Sequence, residues 1–252
     1  MAQRRRHSRR RRGGRFGGLY RFLAVLAVIA AVIAACVIFF RVNEVTVEGN
    51  SRYVAQEIID ASGVQTGDNL MALSKTQIAH AIRTQLPYVE SVSMRRRLPD
   101  TLEITVRERV AAAVVESGSG PWLISSQGKL LEPAGGHNVV EIVGLKAQKP
   151  VAGSNMEVKE EDTNTLEYVT ALLTALEEKG MLSGCQALDC TPSSYLTLTW
   201  DIYTIKLPRG GDYPYMLRLI QSALDSDRMP QNQPGTMDLT VKDGELYFKP
   251  SN

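Results

Sequence analysis

Residues 22–40 read FLAVLAVIAAVIAACVIFF, 19 consecutive positions without a charge, a glycine or a proline. At about 1.5 Å per residue such a helix is about 28 Å long, close to the hydrocarbon thickness of a bilayer. A lone segment in lipid must also pair its backbone N–H and C=O groups within itself, which only a helix does. The run therefore predicts one transmembrane helix over 22–40. Nine Arg precede it, at positions 4, 5, 6, 9, 10, 11, 12, 15 and 21, whereas Arg41 is soon followed by Glu44 and Glu48. Basic flanks stay on the cytoplasmic side, so 1–21 is expected to be a basic cytoplasmic arm, with everything after the helix outside the cytoplasm. An alternative is a secreted or lipid-anchored envelope protein released by cleavage near Cys36, behind Ile33-Ala34-Ala35. A cleaved signal has a shorter apolar core and small residues at its end, but this run closes on Ile38, Phe39 and Phe40, and the residues after Cys36 stay apolar. The arm lacks interleaved aromatics, so contact with anionic lipid is expected of it, and nucleic acid is not.

Charge divides the chain at the same place. Of 29 Lys and Arg, ten fall within 1–41, which holds no acid; the remainder sets 19 bases against all 27 acids, a balance of −8. With 44% hydrophobic and 22% charged residues the chain can bury a core, which excludes extended disorder. Three cysteines are too few for a disulfide scaffold. Cys36 reads as a small hydrophobe, while Cys185 and Cys190, five apart in an exported region, are a candidate disulfide if geometry permits. His7, His80 and His137 fall in three separate regions, so no zinc site or other cofactor is expected.

Beyond the apolar run, Val45 and Val47 alternate with Glu44, Thr46 and Glu48 as in a half-buried strand. Val54, Ile58 and Ile59 then follow a helical spacing, with Ser51 as the expected N-cap and Gly63 past the end. Ser74 and Gln77 have capping-box spacing before Ile78, Ala81, Ile82 and Leu86, a second helix stopped by Pro87. Two strands follow around Leu98-Pro99-Asp100, the first carrying Val92 and Met94 and then Arg95, Arg96 and Arg97, the second Leu102, Ile104 and Val106. The basic triplet is either a solvated strand end or a contact surface for acidic partners or lipid headgroups, and Glu108 and Arg109 can close the unit by pairing with each other. Strand, helix, helix, strand, strand over 42–110 is a small α+β unit.

The strings VNEVTVEGN, GDNLMAL and LPYVESVSMRRRLPDTLEITVRER, in that order after a basic arm and one apolar helix, resemble the POTRA domain of the FtsQ/DivIB family of bacterial cell-division proteins. The likeness is densest at Pro87-Tyr88-Val89, Arg97-Leu98-Pro99-Asp100 and Glu108-Arg109.

Residues 111–252 read as short strands with helices between them. Strands are expected at 122–125, 129–131, 139–143, 195–199 and 202–207, and helices at 165–179 and 214–226. A terminal hairpin runs from Met237-Leu239-Val241 through a turn at Lys242-Asp243-Gly244 to Leu246-Tyr247-Phe248-Lys249. This layout is like the family's β-rich second domain, and Thr236-Met237-Asp238-Leu239 resembles its closing motif, with Thr240 where an Arg often stands.

No GxSxG, HExxH, Walker or GxGxxG pattern occurs in a fitting context. Ser125-Ser126 and Ser193-Ser194 sit at expected turns, and His137 beside Gly135-Gly136 reads as a loop residue. Neither an enzyme nor a small-molecule substrate is therefore expected. A terminal strand at a sheet edge offers free backbone groups to a partner strand, with Leu246, Tyr247 and Phe248 as anchors and Lys249 beside them. The resemblance implies a non-enzymatic divisome scaffold, single-pass and type II at the division septum. It further implies binding of FtsB/DivIC-type and FtsL-type membrane-anchored partners, near septal peptidoglycan synthases.

Overall fold

In a computed structural model describing residues 16–136, 139–226, 233–241 and 245–251, the apolar run forms helix α1 (Phe16–Phe39). Its stretch Gly18–Cys36 has no residue buried against the rest of the protein, and among the described residues it is the one helix long and apolar enough to cross a membrane. The arm up to Arg15, His137 and the Lys242-Asp243-Gly244 turn lie outside the described residues. The exit from α1 is tied down: Leu70 N donates to Phe40 O at 2.9 Å and Val42 N to Asp68 O at 2.8 Å, and the Val42 side chain is fully buried.

A three-stranded sheet follows. Its strands are β1 (Glu44–Glu48), β2 (Val89–Arg97) and β3 (Thr101–Glu108), in the order β1-β3-β2, with β3 parallel to β1 and antiparallel to β2. Helices α2 (Ala55–Ser62) and α3 (Lys75–Gln85) contribute Ile58, Ile78 and Ile82 to a core shared with Leu102, Ile104 and Val106. Each such side chain stabilises by ~1.5–3 kcal/mol on burial. The expected caps hold at Gly63, left-handed at φ 70°, and at Ser74, whose Oγ accepts from Gln77 N at 3.4 Å. Ser51 is not the cap of α2. That position is Val54, whose N–H is taken at 3.0 Å by Glu57, and Ser51 turns to Glu108 instead.

The rest of the chain builds a nine-stranded sheet. Its strands are β4 (Ala113–Ser117), β5 (Trp122–Ile124), β6 (Leu130–Pro133), β7 (Val140–Ala147), β8 (Cys185–Asp189), β9 (Tyr195–Trp200), β10 (Tyr203–Pro208), β11 (Gly235–Asp238) and β12 (Tyr247–Pro250). The order is β12-β11-β10-β9-β8-β7-β4-β5-β6. Helices α4 (Thr163–Glu178) and α5 (Tyr213–Leu224) pack Val169, Leu172, Leu176, Leu217 and Ile220 onto the sheet face carrying Ile142, Leu188, Leu198, Ile205 and Met237. The architecture is α+β. Strands β4 and β8 have no counterpart in the sequence reading, because a short buried strand such as Ala113-Val114-Val115 lacks the contrast between faces that alternation needs.

The candidate disulfide is absent: Cys185 and Cys190 are free thiols. Cys185 opens β8 and Cys190 follows its last residue. Extended chain advances about 3.3 Å per residue, so five residues separate the Cα atoms by about 16 Å, far beyond disulfide reach. Both thiols are buried, Cys185 contacting Met181 O and Cys190 contacting Leu188 O.

Glu108 and Arg109 do not pair with each other either. The Glu108 carboxylate accepts from the N–H groups of Ser51, Arg52 and Tyr53 and from the Ser51 hydroxyl, while Arg109 Nη1 donates to Val89 O at 2.6 Å. Glu132 on β6 then joins the two sheets, accepting from Tyr88 OH at 2.7 Å and from Arg52 Nη2 at 2.8 Å. The Arg52 guanidinium lies 3.8 Å from the Tyr88 ring centroid, over a small core of Tyr88, Leu123 and Leu131.

Candidate functional site at the sheet edge

The two ends of the large sheet differ. At the β6 end, residues 153–156 cover the strand: Leu130 N donates to Ser154 O, Gly153 N to Leu130 O and Met156 N to Gly128 O, all at 2.8–2.9 Å. At the other end, among the described residues, β12 pairs with β11 alone, Asp238 opposite Tyr247 and Thr236 opposite Lys249. Its outer side carries backbone groups of the kind that take an added strand.

Alternation divides the four residues expected to meet a partner. Leu246 and Phe248 pack against the core, the Phe248 ring meeting Tyr203 edge-on with centroids 6.3 Å apart. Gly235 makes room for that ring, since a Cβ there would fall 2.4 Å from it. Tyr247, 44% exposed, and Lys249 point to the opposite face. Of the expected aromatic anchors, then, Tyr247 is available at the surface and Phe248 is committed to packing. The Tyr247 hydroxyl donates to Glu245 Oε2 at 2.6 Å, and the hydrogen bond with its negative acceptor raises the phenol above its ordinary pKa. The pairing register continues Tyr247 into a row across the open face, through Asp238, Lys206 and Thr197 to Asp189.

The basic triplet lies on β2, an edge strand of the small sheet. Arg97 forms a two-pronged pair with Glu103, at 2.8 and 2.9 Å, and Arg96 Nη2 donates to Leu73 O at 2.7 Å. Arg95 remains exposed. Charge along an edge strand opposes unwanted strand pairing, so this edge is chemically unlike β12.

Sequence reading did not find Arg52, Tyr88 and Glu132 as a group, because positions 44 and 80 apart converge only after both sheets form. Among the described residues no three His, Cys, Asp or Glu side chains converge as metal ligands.

The family described as "POTRA domain, FtsQ-type" matches residues 40–109. The chain is 32% identical over 195 residues to "Cell division protein FtsQ" of Anaeromyxobacter sp. strain K, covering 74% of this chain and 64% of that protein. It is 29% identical over 137 residues to "Cell division protein DivIB" of Clostridium acetobutylicum, 53% of each chain. It is also 31% identical over 107 residues to "Cell division protein FtsQ" of Corynebacterium glutamicum, 42% of this chain and 48% of that one. The chain thus spans from about half to just under two thirds of the length of these curated relatives.

Proposed function

The chain belongs to the FtsQ/DivIB family, and from that premise we propose that it is a membrane-anchored, non-enzymatic scaffold of bacterial cell division. The arm 1–21 lies in the cytoplasm, α1 crosses the membrane, and the two units 42–110 and 111–252 work outside it at the septum. The Arg-rich side of α1 against its acidic far side supports this orientation. Confinement by α1 raises the effective concentration of partners anchored in the same bilayer, so moderate contacts suffice. FtsB/DivIC-type and FtsL-type proteins are those partners, and holding them helps recruit or stabilise septal peptidoglycan synthases.

The observation that carries the reading is the contrast between the covered β6 edge and the β12 edge, whose outer side is unpaired among the described residues. A partner segment adds to β12 as a further strand, with Tyr247 and Lys249 beside it. Depleting the protein in its host tests the division role: filamentous or unseparated cells are expected, and normal septation would overturn it. External protease on protoplasts should digest 42–252 and spare the arm. A mature chain beginning at Cys36 would instead support the lipid-anchored alternative.

A further inference from the structure

Between the two sheets lies a cleft of about 390 Å³, lined by His80, Arg83 and Thr84 of α3, Arg109 after β3, Lys129 before β6, and Ser154. Arg83, Arg109 and Lys129 bring three positive charges to it from three separate parts of the chain. Arg83 Nε spends its proton on Ala79 O, Arg109 Nη1 on Val89 O, and Lys129 Nζ on Asn155 Oδ1 at 3.3 Å, each acceptor uncharged. The ion pairs among the described residues are Arg52–Glu132, Arg97–Glu103, Arg107–Glu90 and Lys159–Glu161, so none of the three is directly neutralised. Glu90, the acid in the lining, has one carboxylate oxygen engaged by Arg107 at 2.9 Å and the other by Gln127 at 3.2 Å. Arg109 Nε is buried and has no acceptor. Arg109 and Lys129 are half-buried and Arg83 exposed, so the cleft gathers three positive charges against one carboxylate, an excess that a bound anion would offset.

We propose that this cleft binds a phosphate-type oxyanion, held by Arg83, Arg109 and Lys129 with the His80, Thr84 and Ser154 side chains around it. The donor set fits that chemistry: guanidinium groups offer planar forks and the ammonium a point charge, while the Thr84 and Ser154 hydroxyls spend their protons on His80 O and Val151 O. The volume falls within the range of small-ligand sites. The charges also act on one another. Burial lowers the Lys129 ammonium below its ordinary pKa, with Arg109 and Arg83 adding to the effect. Burial likewise lowers Arg109, with Glu90 opposing and Arg83 reinforcing. An anion would offset the burial of Lys129 and Arg109, and because the cleft joins α3 to the loop after β7 it would brace one domain against the other.

The full chain in neutral detergent micelles, titrated with inorganic phosphate at ionic strength fixed by sodium chloride, tests this. Saturable binding is expected, weakened about tenfold in Arg83→Gln and in Lys129→Gln and unchanged in Arg95→Gln, whose side chain lies outside the cleft. Arg109 is left in place because it donates to backbone carbonyls. A second titration with glycerophosphoglycerol, a soluble lipid headgroup, identifies the source. Tighter binding of that diester points to a lipid headgroup and tighter binding of phosphate to the free ion, either supporting the proposal. No saturable binding of either probe, or equal binding in all three variants, overturns it.

Discussion

Tyr247 and Phe248 are adjacent, yet a strand sends them to opposite faces, and their substitutions should separate cleanly. Tyr247→Lys changes a surface side chain and should shift stability by no more than about 0.5 kcal/mol. It should also weaken capture of the proposed FtsB/DivIC-type partner about tenfold or more in a pull-down titration with circular dichroism unchanged. Phe248→Ala removes a half-buried ring that Gly235 is shaped to admit, and should lower stability by about 2 kcal/mol in urea unfolding. The cysteines make a second residue-scale case. Burial pushes both the Cys185 and Cys190 thiols up to about 12, with Arg209 opposing and Asp189 reinforcing the effect on Cys190. Both should resist a thiol reagent at pH 8 in the folded protein and react fully in guanidinium, with equal mass before and after reduction.

At the scale of elements, the turn after β1 depends on Gly49. Its φ is 80°, and a Cβ there would lie 2.2 Å from the Val106 carbonyl oxygen on β3. Gly49→Ala should therefore destabilise the first domain by about 2 kcal/mol or more, read as a lower thermal midpoint. The same turn leads to Glu108. Burial alone would raise this carboxyl, but hydrogen bonds from Arg52, Ser51 and Tyr53 outweigh it and hold the group below its ordinary pKa. A lowered folded-state pKa contributes stability above the unfolded value of about 4.3, lost as pH falls through the folded value. Thermal scans should thus show a loss below about pH 4, and Glu108→Gln should flatten that part of the profile while lowering stability at pH 7.

For the whole molecule, the joint between the sheets is the quantity to perturb. Glu132→Ala leaves the Tyr88 hydroxyl and the Arg52 guanidinium without their shared acceptor. An unsatisfied, mostly buried donor costs about 1–3 kcal/mol, so the two sheets should uncouple before either core melts. Hydrogen exchange should then rise first at 51–54 and 130–133, while the interiors of β3 and β9 stay protected. Uniform exchange in wild type and variant would show that Glu132 does not carry the coupling.

Periodicity within a few residues was enough to place α1, the helical stripes of α3, α4 and α5, the caps at Gly63 and Ser74, and the strands β9 and β10, because each depends on neighbours in the chain. The local strings of the first external segment likewise sufficed for the FtsQ-type POTRA domain that matches residues 40–109. Local pattern could not say that β1 runs parallel to β3, that β4 and β8 exist, or that Cys185 and Cys190 stand at opposite ends of one strand. Nor could it say which end of the large sheet is covered, or that Arg83, Arg109 and Lys129 face one cleft. Those outcomes were decided when distant segments buried their apolar faces together, since packing across that distance selects strand order and, with it, which polar groups are left outside.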